Sequence, residues 1–516
     1  MLSGFFQFLQ LIRIGFVLAR EGAFSLVDPA PLPPSARMVL KVCRIVERRR
    51  TRDGAAGLAA AMARLGPSYV KFGQFLATRP DIVGTAAARN LESLQDQMAP
   101  FPRARAVKII EENLGRPIDE LFASFSEPVA AASIAQVHKA VIRSADGSEE
   151  TVAVKVIRPN VRDRFARDLQ SMRYAAGLME RFLPDGQRLK PREVVETLAR
   201  SVTLEMDLRL EAAAISELVE NTKDDQDFRI PDLYWTYTDR DILTIEWIDA
   251  IRLNDLDAID RAGIDRPTLA KTVLQAFLKH AIRDGFFHAD MHPGNLFVDH
   301  QSRLVAVDFG IMGRLSFAQR RFLAEILLGF INRDYHRVAE VHFAAGYVPS
   351  SHSIDDFAQA IRAVGEPIHD RRANEISMAR LLTLLFEITA LFDMATRPEL
   401  VMLQKTMVVV EGVARMLDPK LDMWTTADPV VRTWIERNLG PVGQLEEAGR
   451  NLHALVDMVR DLPNIAKRAD NILGKLEKAI ETDEFCQRQS ARKRGTGLWA
   501  TLALWVIAVA MILIVV

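Results

Sequence analysis

The stretch from residue 287 to residue 310 constrains the fold most strongly, and it reads FHADMHPGNLFVDHQSRLVAVDFG. Its two short apolar runs, LFV and LVAV, are separated by polar residues, which predicts two strands joined by a turn. Asp290 and Asn295 precede the first run, and Asp308 follows the second. A hairpin of this kind would bring all three side chains to its open end. The sequence therefore predicts two carboxylates and an amide that converge at one edge of a small sheet.

These three side chains are of the types that phosphoryl transfer requires. Asp290 can orient or deprotonate a hydroxyl group, while Asn295 and Asp308 can offer oxygen atoms to Mg2+. The steps of five and thirteen residues between them are those of the protein-kinase catalytic loop and its metal-binding Asp-Phe-Gly. An alternative stays open, because His288, Asp290 and His292 alternate along the chain and could bind a transition metal from one face.

Composition limits the classes of protein to which the chain can belong. At 516 residues it is long enough for two folded units with tails. Its formal net charge of −1 gives no electrostatic case for nucleic acid as a partner. The 2 cysteines, Cys43 and Cys486, lie far apart in the chain, so they form no disulfide framework and fit a reducing compartment.

A second strand pair is predicted upstream. An alternating run is followed by a turn and by the run TVAVKVI, which contains Lys155. Such a pair resembles the hairpin that covers the nucleotide in kinases, where the lysine contacts the α- and β-phosphates. The preceding loop contains Ala131, Ala132 and Ser133, where protein kinases have glycines. Because alanine carries a Cβ atom, this backbone cannot approach phosphates as closely as glycine allows.

A helix is predicted over residues 191–222. Asp207 and Glu211 would share one of its faces, four residues apart. Glu205 lies off that face, four residues before Arg209, with which it could pair. Because a kinase needs one helical glutamate to hold the strand lysine, Glu205 and Glu211 are both candidates for that partner.

Two further segments contribute candidate residues. Residues 228–249 predict two strands, and their end lies where a hinge to a second lobe is expected. The backbone around Glu246 could hydrogen-bond adenine there. Upstream, Ser68 could cap a helix that carries Lys71 and Gln74 on one face. From the residues alone, that helix is an ordinary amphipathic one with a solvated lysine.

Both ends of the chain are apolar. Residues 1–20 lack the pattern of a secretory signal, so a helix that lies on a membrane or packs on the protein is expected. Residues 498–516 are uncharged over 19 positions, which as a helix spans about 28 Å, close to a bilayer core. The basic residues 492–494 stand just before, which places the preceding domains in the cytoplasm. A single-pass C-terminal membrane anchor is therefore expected.

The remainder of the chain is predicted to be helical, with helices over residues 317–332, 334–344, 376–393 and 396–415. A helical scaffold or docking surface is the preferred interpretation of this region. The expected units are an apolar segment with linker (1–35), a helical extension (36–115), a small lobe (116–249), the core of a larger lobe (250–345), a helical region (346–490) and the transmembrane helix (498–516).

Together these segments resemble the UbiB/AarF family of atypical kinase-like proteins over roughly residues 60–315. The resemblance is carried by Lys71-x-Gly73-Gln74, the alanine-rich run from Ala130 to His138, Lys155 in Val-Ala-Val-Lys, Glu205-x-Asp207 with Glu211, the run from His288 to Asn295, and Asp308-Phe309-Gly310. It implies an α+β, two-lobe fold like that of protein kinases. An N-terminal helical extension, a helical C-terminal region and a C-terminal transmembrane helix would be added to it.

The resemblance also implies roles for individual residues. Lys155, Asn295 and Asp308 would bind ATP and Mg2+. Glu211 would hold Lys155, and Asp290 would act as the catalytic base. The helix of the Lys-x-Gly-Gln motif would fold over the active site and obstruct a protein substrate. The other residues expected at the nucleotide site are Lys71, Gln74, Ala131, Ala132, Ser133, Glu205, Asp207 and Glu246.

For the whole chain, the resemblance implies a membrane-anchored atypical kinase or ATPase that supports ubiquinone (coenzyme Q) biosynthesis. It would act on, or extract, prenylated quinone precursors. Its expected partners are membrane lipid, these precursors, ubiquinone-biosynthetic enzymes and a second copy of the chain. A nucleotide-sensing scaffold without catalytic activity is the alternative. No Rossmann or flavin fingerprint, iron triad or redox cysteine pair supports a hydroxylase.

Overall fold

The computed structural model describes residues 2–26, 34–47, 54–77, 91, 94, 98–143, 147–182, 190–369, 388, 391–394 and 398–440. They form a small lobe around an antiparallel sheet and a larger lobe that is mainly helical. The predicted α+β architecture with two lobes is therefore present.

The helices of these residues are α1 (Leu2–Arg20), α2 (Pro34–Val46), α3 (Gly54–Leu65), α4 (Pro67–Ala77), α5 (Arg103–Leu114), α6 (Ile118–Leu121), α7 (Val161–Phe182), α8 (Pro191–Glu205), α9 (Leu208–Thr222), α10 (Leu256–Arg261), α11 (Arg266–Leu278), α12 (Phe317–Ile331), α13 (Tyr335–Ala344), α14 (Ile354–His369), α15 (Pro398–Leu417) and α16 (Met423–Leu439). Short 3-10 segments lie at Ala23–Leu26 and Trp235–Tyr237, and a π-helical turn at Lys279–Asp284 continues α11.

The strands are β1 (Ser124–Ala131), β2 (Ala135–Arg143), β3 (Glu149–Ile157), β4 (Phe228–Arg229), β5 (Ile242–Glu246), β6 (Ile251–Arg252), β7 (Phe286–His288), β8 (Leu296–Val298), β9 (Leu304–Ala306) and β10 (Met312–Arg314). They form three sheets, with the strand orders β1-β2-β3-β5, β10-β7 and β4-β9-β8-β6.

The small-lobe sheet sets the direction in which Lys155 points. Val152, Val154 and Val156 of β3 are fully buried in the cluster that α5 closes with Ala106. Because side chains alternate along a strand, Lys155 must face the opposite side of the sheet. A shift of one residue in register would bury the lysine and expose three valines, so this register is strongly specified.

The predicted helix over residues 191–222 is two helices, so a single helix was the wrong prediction. The chain leaves α8 at Met206, and Asp207 becomes the N-cap of α9, where its carboxylate accepts from the backbone N–H of Arg209 at 3.2 Å. Because of this break, the predicted pair between Glu205 and Arg209 is also wrong. Arg209 Nε instead donates to Asp207 Oδ1 at 2.9 Å, and Glu205 binds Lys71.

The start of α4 also differs from the prediction. The helix begins at Pro67, whose fixed φ suits the first helical position and whose missing N–H costs nothing there. Ser68 therefore lies inside the helix, 1% exposed, and does not cap it. The predicted helix itself is present, with Lys71 and Gln74 on it.

Two strand pairs of the larger lobe bring the ends of the segment 287–310 together. β8 pairs with β9 as the predicted hairpin, with Leu296 opposite Ala306. β7 pairs with β10, with His288 opposite Met312. The loop between β7 and β8 and the loop after β9 consequently meet beside the cleft between the lobes.

Gly313 is required where β10 crosses the ring of Phe287. A Cβ atom on Gly313 would lie 2.2 Å from Phe287 Cζ, and Phe287 is 1% exposed. We predict that Gly313→Ala lowers the free energy of unfolding by about 1–3 kcal/mol, because the buried ring has no room to move. Urea unfolding measures the change. The matched control is Gly412→Ala, where a Cβ atom meets nothing within 4 Å in α15, so neutral or increased stability is expected. Equal loss in both variants would contradict the prediction.

The apolar ends of the chain are only partly described. Helix α1 packs on the protein through Leu11 and Leu18, while Ile12 and Phe16 stay exposed. Over the described ranges, no helix combines the length and the hydropathy needed to cross a membrane. The predicted transmembrane helix at residues 498–516 lies outside the described residues, as does most of the predicted helix 376–393.

Candidate active site

Lys155 joins the two lobes through ionic hydrogen bonds. Its Nζ lies 2.9 Å from both carboxylate oxygens of Glu211 and 2.8 Å from Asp308 Oδ1. The Glu211 side chain is 7% exposed and that of Asp308 is 53% exposed. Of the two glutamates that the sequence left open as partners of Lys155, Glu211 is the one in contact. One carboxylate is thus committed to holding the lysine, while the other remains open to the cleft.

The charges of this cluster shift one another's pKa. Burial lowers the pKa of the Lys155 ammonium, but the Asp308 and Glu211 carboxylates outweigh burial and raise that pKa above its ordinary value. The Lys155 charge lowers the pKa of Asp308 to about 2. Burial raises the pKa of the Glu211 carboxyl, and Lys155 opposes this effect. At neutral pH the cleft therefore holds a cationic lysine and an ionised Asp308, the form in which a carboxylate binds a metal.

Asp290 and Asn295 are held against each other. Asn295 Nδ2 donates to Asp290 O at 3.1 Å and to Asp290 Oδ2 at 3.3 Å. The backbone N–H of Val307 donates to Asn295 O at 2.9 Å, which ties this loop to the residue before Asp308. Because the amide nitrogen of Asn295 faces Asp290, its Oδ1 is the atom that can bind a cation.

His288 is a structural residue of this loop. Its Nδ1 accepts from the Asp290 N–H at 3.0 Å, and its Nε2 pairs with Val307 O at 3.1 Å. His292 Nδ1 accepts from the Gly294 N–H at 3.1 Å. Among the described residues there is no group of three or more His, Cys, Asp or Glu side chains placed to hold a metal ion. A transition-metal site at His288, Asp290 and His292 does not fit this geometry.

Asp308 adopts a left-handed backbone conformation, with φ 63°. Only a few per cent of non-glycine residues have positive φ, although aspartate tolerates it better than most. Such conformations persist where the surroundings fix them, and they are frequent at functional sites. Here the conformation turns the chain between β9 and β10 and leaves the Asp308 carboxylate beside Lys155.

The alanine-rich loop is held by the rest of the protein. Ala131 O accepts from the Met98 N–H at 3.1 Å, and the Ala132 N–H donates to Ala135 O at 2.8 Å. Ala132 O accepts from Arg158 Nε at 2.9 Å. Ser133 is buried. Both backbone groups of Ala132 are therefore engaged within the protein, and the different phosphate geometry expected of this loop stays a prediction.

Helix α4 contributes a charge close to the cluster. Lys71 forms an ion pair with Glu205, and its charge is one of those that lower the pKa of Asp308. Gln74 Nε2 donates to Leu94 O at a long 3.4 Å. The structure thus brings Lys71 and Glu205 to the cluster. Asp207 turns instead to the exposed guanidinium of Arg209.

Comparison with known families finds two domain profiles that match this chain. The profile of the ABC1 atypical kinase-like domain matches residues 93–342, and that of the UbiB helical domain matches residues 361–422. The chain belongs to the UbiB/AarF family. The predicted family is confirmed, and with it a kinase-like α+β fold that carries additional helical regions.

A solved structure supports the same fold for this UbiB/AarF protein. The chain is similar to Rv3197 of Mycobacterium tuberculosis, which was solved as a complex with erythromycin. The two are 23% identical, with a TM-score of 0.51, over 71% of this chain and 93% of that chain. At this level of identity the likeness shows the fold alone.

The predicted hinge is present, but Glu246 is already engaged. Strands β5 and β6, on either side of the hinge, belong to different lobes, because β5 pairs with β3 and β6 pairs with β8. The Glu246 carboxylate binds Arg229 Nη2 at 2.5 Å, and the Glu246 N–H donates to Asp232 O at 2.8 Å. The role of the backbone around Glu246 at an adenine site stays a prediction.

Two residues that hold the UbiB/AarF site were missed in the sequence. Arg158 follows β3 directly, and it binds Ala132 O and, at 3.0 Å, Ala99 O. Thr406 of α15 donates from its hydroxyl to Ala289 O at 2.9 Å. The position next to the lysine strand was a local signal for Arg158. No local pattern points to Thr406, because its partner lies 117 residues away.

Proposed function

We propose that this UbiB/AarF protein is an atypical kinase or ATPase that binds ATP with Mg2+. The observation that carries the proposal is the position of Lys155, whose ammonium bridges Glu211 of the small lobe and Asp308 of the larger one. The Lys155 ammonium, held in this position, can bind phosphate oxygens without rearrangement of the surrounding residues. The ionised Asp308 then becomes available to a cation.

The residues present fit a magnesium-bound triphosphate. Asp308 is ionised and half-exposed. Asn295 directs its amide nitrogen to Asp290, so its Oδ1 is the atom that would bind the cation. Carboxylate and amide oxygens are ligands that Mg2+ accepts while it keeps several waters. When bound, Mg2+ would neutralise charge on the phosphates. In this proposal Lys155 contacts phosphate, and Asn295 and Asp308 hold the metal.

Asp290 is the residue proposed to orient or deprotonate the attacking hydroxyl. Asn295 Nδ2 and the His288 ring fix the loop that carries it, so its carboxylate has a defined direction. The acceptor is either water, in an ATPase, or a small hydroxylated molecule. The resemblance implies that α4, whose Lys71 is paired with Glu205, obstructs a protein substrate, which favours a small acceptor.

The biological role that we propose is support of ubiquinone biosynthesis at the inner membrane. Membership of the UbiB/AarF family and the apolar, uncharged residues 498–516 support it. The protein would act on, or extract, prenylated quinone precursors, with the soluble domains facing the cytoplasm. Contacts with ubiquinone-biosynthetic enzymes and with a second copy of the chain belong to the same proposal.

A nucleotide-sensing scaffold is the second candidate. The observation that favours it is the ion pair between Lys71 and Glu205, which, with the effect of the Lys71 charge on the pKa of Asp308, links α4 to the cluster. In this version the nucleotide changes the contacts of α4, and turnover is incidental. Nucleic acid is a partner in neither version, since the net charge of −1 offers it no attraction.

The test of the proposed function is ATP turnover by the full chain in detergent or on liposomes, with and without Mg2+. We predict Mg2+-dependent turnover that Asp290→Asn lowers about 100-fold, because the amide cannot accept the hydroxyl proton. Asp265→Asn is the matched control. Asp265 caps α11, where its carboxylate accepts from the Thr268 N–H, and asparagine caps a helix equally well. Complementation of a quinone-deficient strain by Asp290→Asn would instead favour the scaffold.

A further inference from the structure

The helical region beyond the kinase-like domain reaches into the catalytic loop through one hydroxyl. Thr406 lies on α15 inside the match to the UbiB helical domain, and it is 1% exposed. Its Oγ1 is 2.9 Å from Ala289 O and 2.9 Å from Met402 O of its own helix. The second contact is the usual one for a helical threonine, and the two carbonyl oxygens share the single hydrogen of the hydroxyl. The first crosses between regions and ends one residue before Asp290.

The carbonyl that Thr406 binds belongs to the same peptide group as the Asp290 N–H. That N–H donates to His288 Nδ1 at 3.0 Å. A peptide group is planar, so hydrogen bonds at its C=O and at its N–H fix its rotation from both sides. The direction in which the Asp290 side chain leaves the backbone follows from that rotation. The His288 ring is itself tied to Val307 O, beside Asp308.

We infer that Thr406 is a positioning residue for Asp290, through which the helical region sets the geometry of the catalytic loop. This inference rests on the proposed function for its kinetic consequences. Thr406 touches neither nucleotide nor metal, and it acts through the Ala289–Asp290 peptide group. The extra helical region is then part of the working site, in addition to any docking role.

The test compares Thr406→Val, Thr406→Ser and Thr426→Val in the full chain. Valine keeps the shape of threonine and removes the hydroxyl, whereas serine keeps the hydroxyl. Thr426 is the matched control, because it is a buried threonine of α16 whose hydroxyl donates within its own helix to Asp422 O at 2.7 Å. For Thr406→Val we expect kcat to fall about tenfold with an unchanged KM for ATP. We expect Thr406→Ser and Thr426→Val to remain near the wild type.

A second readout does not depend on turnover. Amide hydrogen exchange of the peptide that covers residues 287–295 should become faster in Thr406→Val by about tenfold or more, and not in Thr426→Val. If the wild type hydrolyses no ATP while this exchange still responds, the proposed function fails and the positioning role stands. If the wild type is active and Thr406→Val leaves both kcat and exchange unchanged, the positioning role is overturned. An equal response in Thr426→Val would overturn it as well.

Discussion

Replacing Asp308 with asparagine is expected to reduce Mg2+-dependent ATP turnover by at least about 1,000-fold. The substitution keeps the size of the side chain and removes one negative charge. Lys155 keeps the Asp308 carboxylate ionised by lowering its pKa to about 2. The Asp308 carboxylate is also the one in the cluster that stays half-exposed. Its loss removes both a metal ligand and a counter-charge, so Mg2+ should also be required at a higher concentration.

The measurement is a Mg2+ titration of turnover at saturating ATP. Asp255→Asn serves as the control, because Asp255 is exposed and caps α10, where its carboxylate accepts from the Ala258 N–H at 3.0 Å. Its titration curve should match that of the wild type. Turnover by Asp308→Asn at the wild-type rate and Mg2+ dependence would show that the nucleotide chemistry does not use Asp308 and takes place elsewhere.

The parts of the site that could be predicted from the sequence are those determined by residues close together in the chain. The hairpin of β8 and β9 follows from two short apolar runs separated by polar residues, and it was predicted within one residue. Asp290, Asn295 and Asp308 flank that hairpin, so their convergence needed no knowledge of the remaining fold. The direction of Lys155 could be predicted equally well, since it depends on the buried valines to either side of it.

The parts that could not be read depend on competition between local and distant contacts. The break before α9 required Asp207 to cap a helix, but the same residue also fits the interior of a charged helix. The choice between Glu205 and Glu211 depended on that break, because it rotates the start of α9 relative to α8. Thr406 shows the limit most plainly: a threonine in a helix carries no sign of a partner in another region.

The largest stability effect is expected where the lysine is deprived of its buried partner. Glu211→Ala should lower the free energy of unfolding by about 3 kcal/mol at pH 8. The Lys155 ammonium stays desolvated in this variant, and the Glu211 carboxylate no longer offsets that cost. The side chains of Lys155 and Glu211 are 19% and 7% exposed, so water replaces the lost contact poorly. Asp308 still binds Lys155 in this variant, which places the loss at the lower end of the range for broken buried pairs.

A double-mutant cycle with Lys155→Met separates this pair from its surroundings. The double variant should be less destabilised than the sum of the two single variants, by about 1–3 kcal/mol, because no unpaired charge remains between them. Glu217→Ala on the same helix is the control, since its ion pair with Arg314 is exposed and should contribute about 0–1 kcal/mol. Added salt should screen the Glu217 pair and spare the Glu211 pair. Strict additivity, or equal effects of Glu211→Ala and Glu217→Ala on urea unfolding, would mean that the lysine is not held as the structure has it.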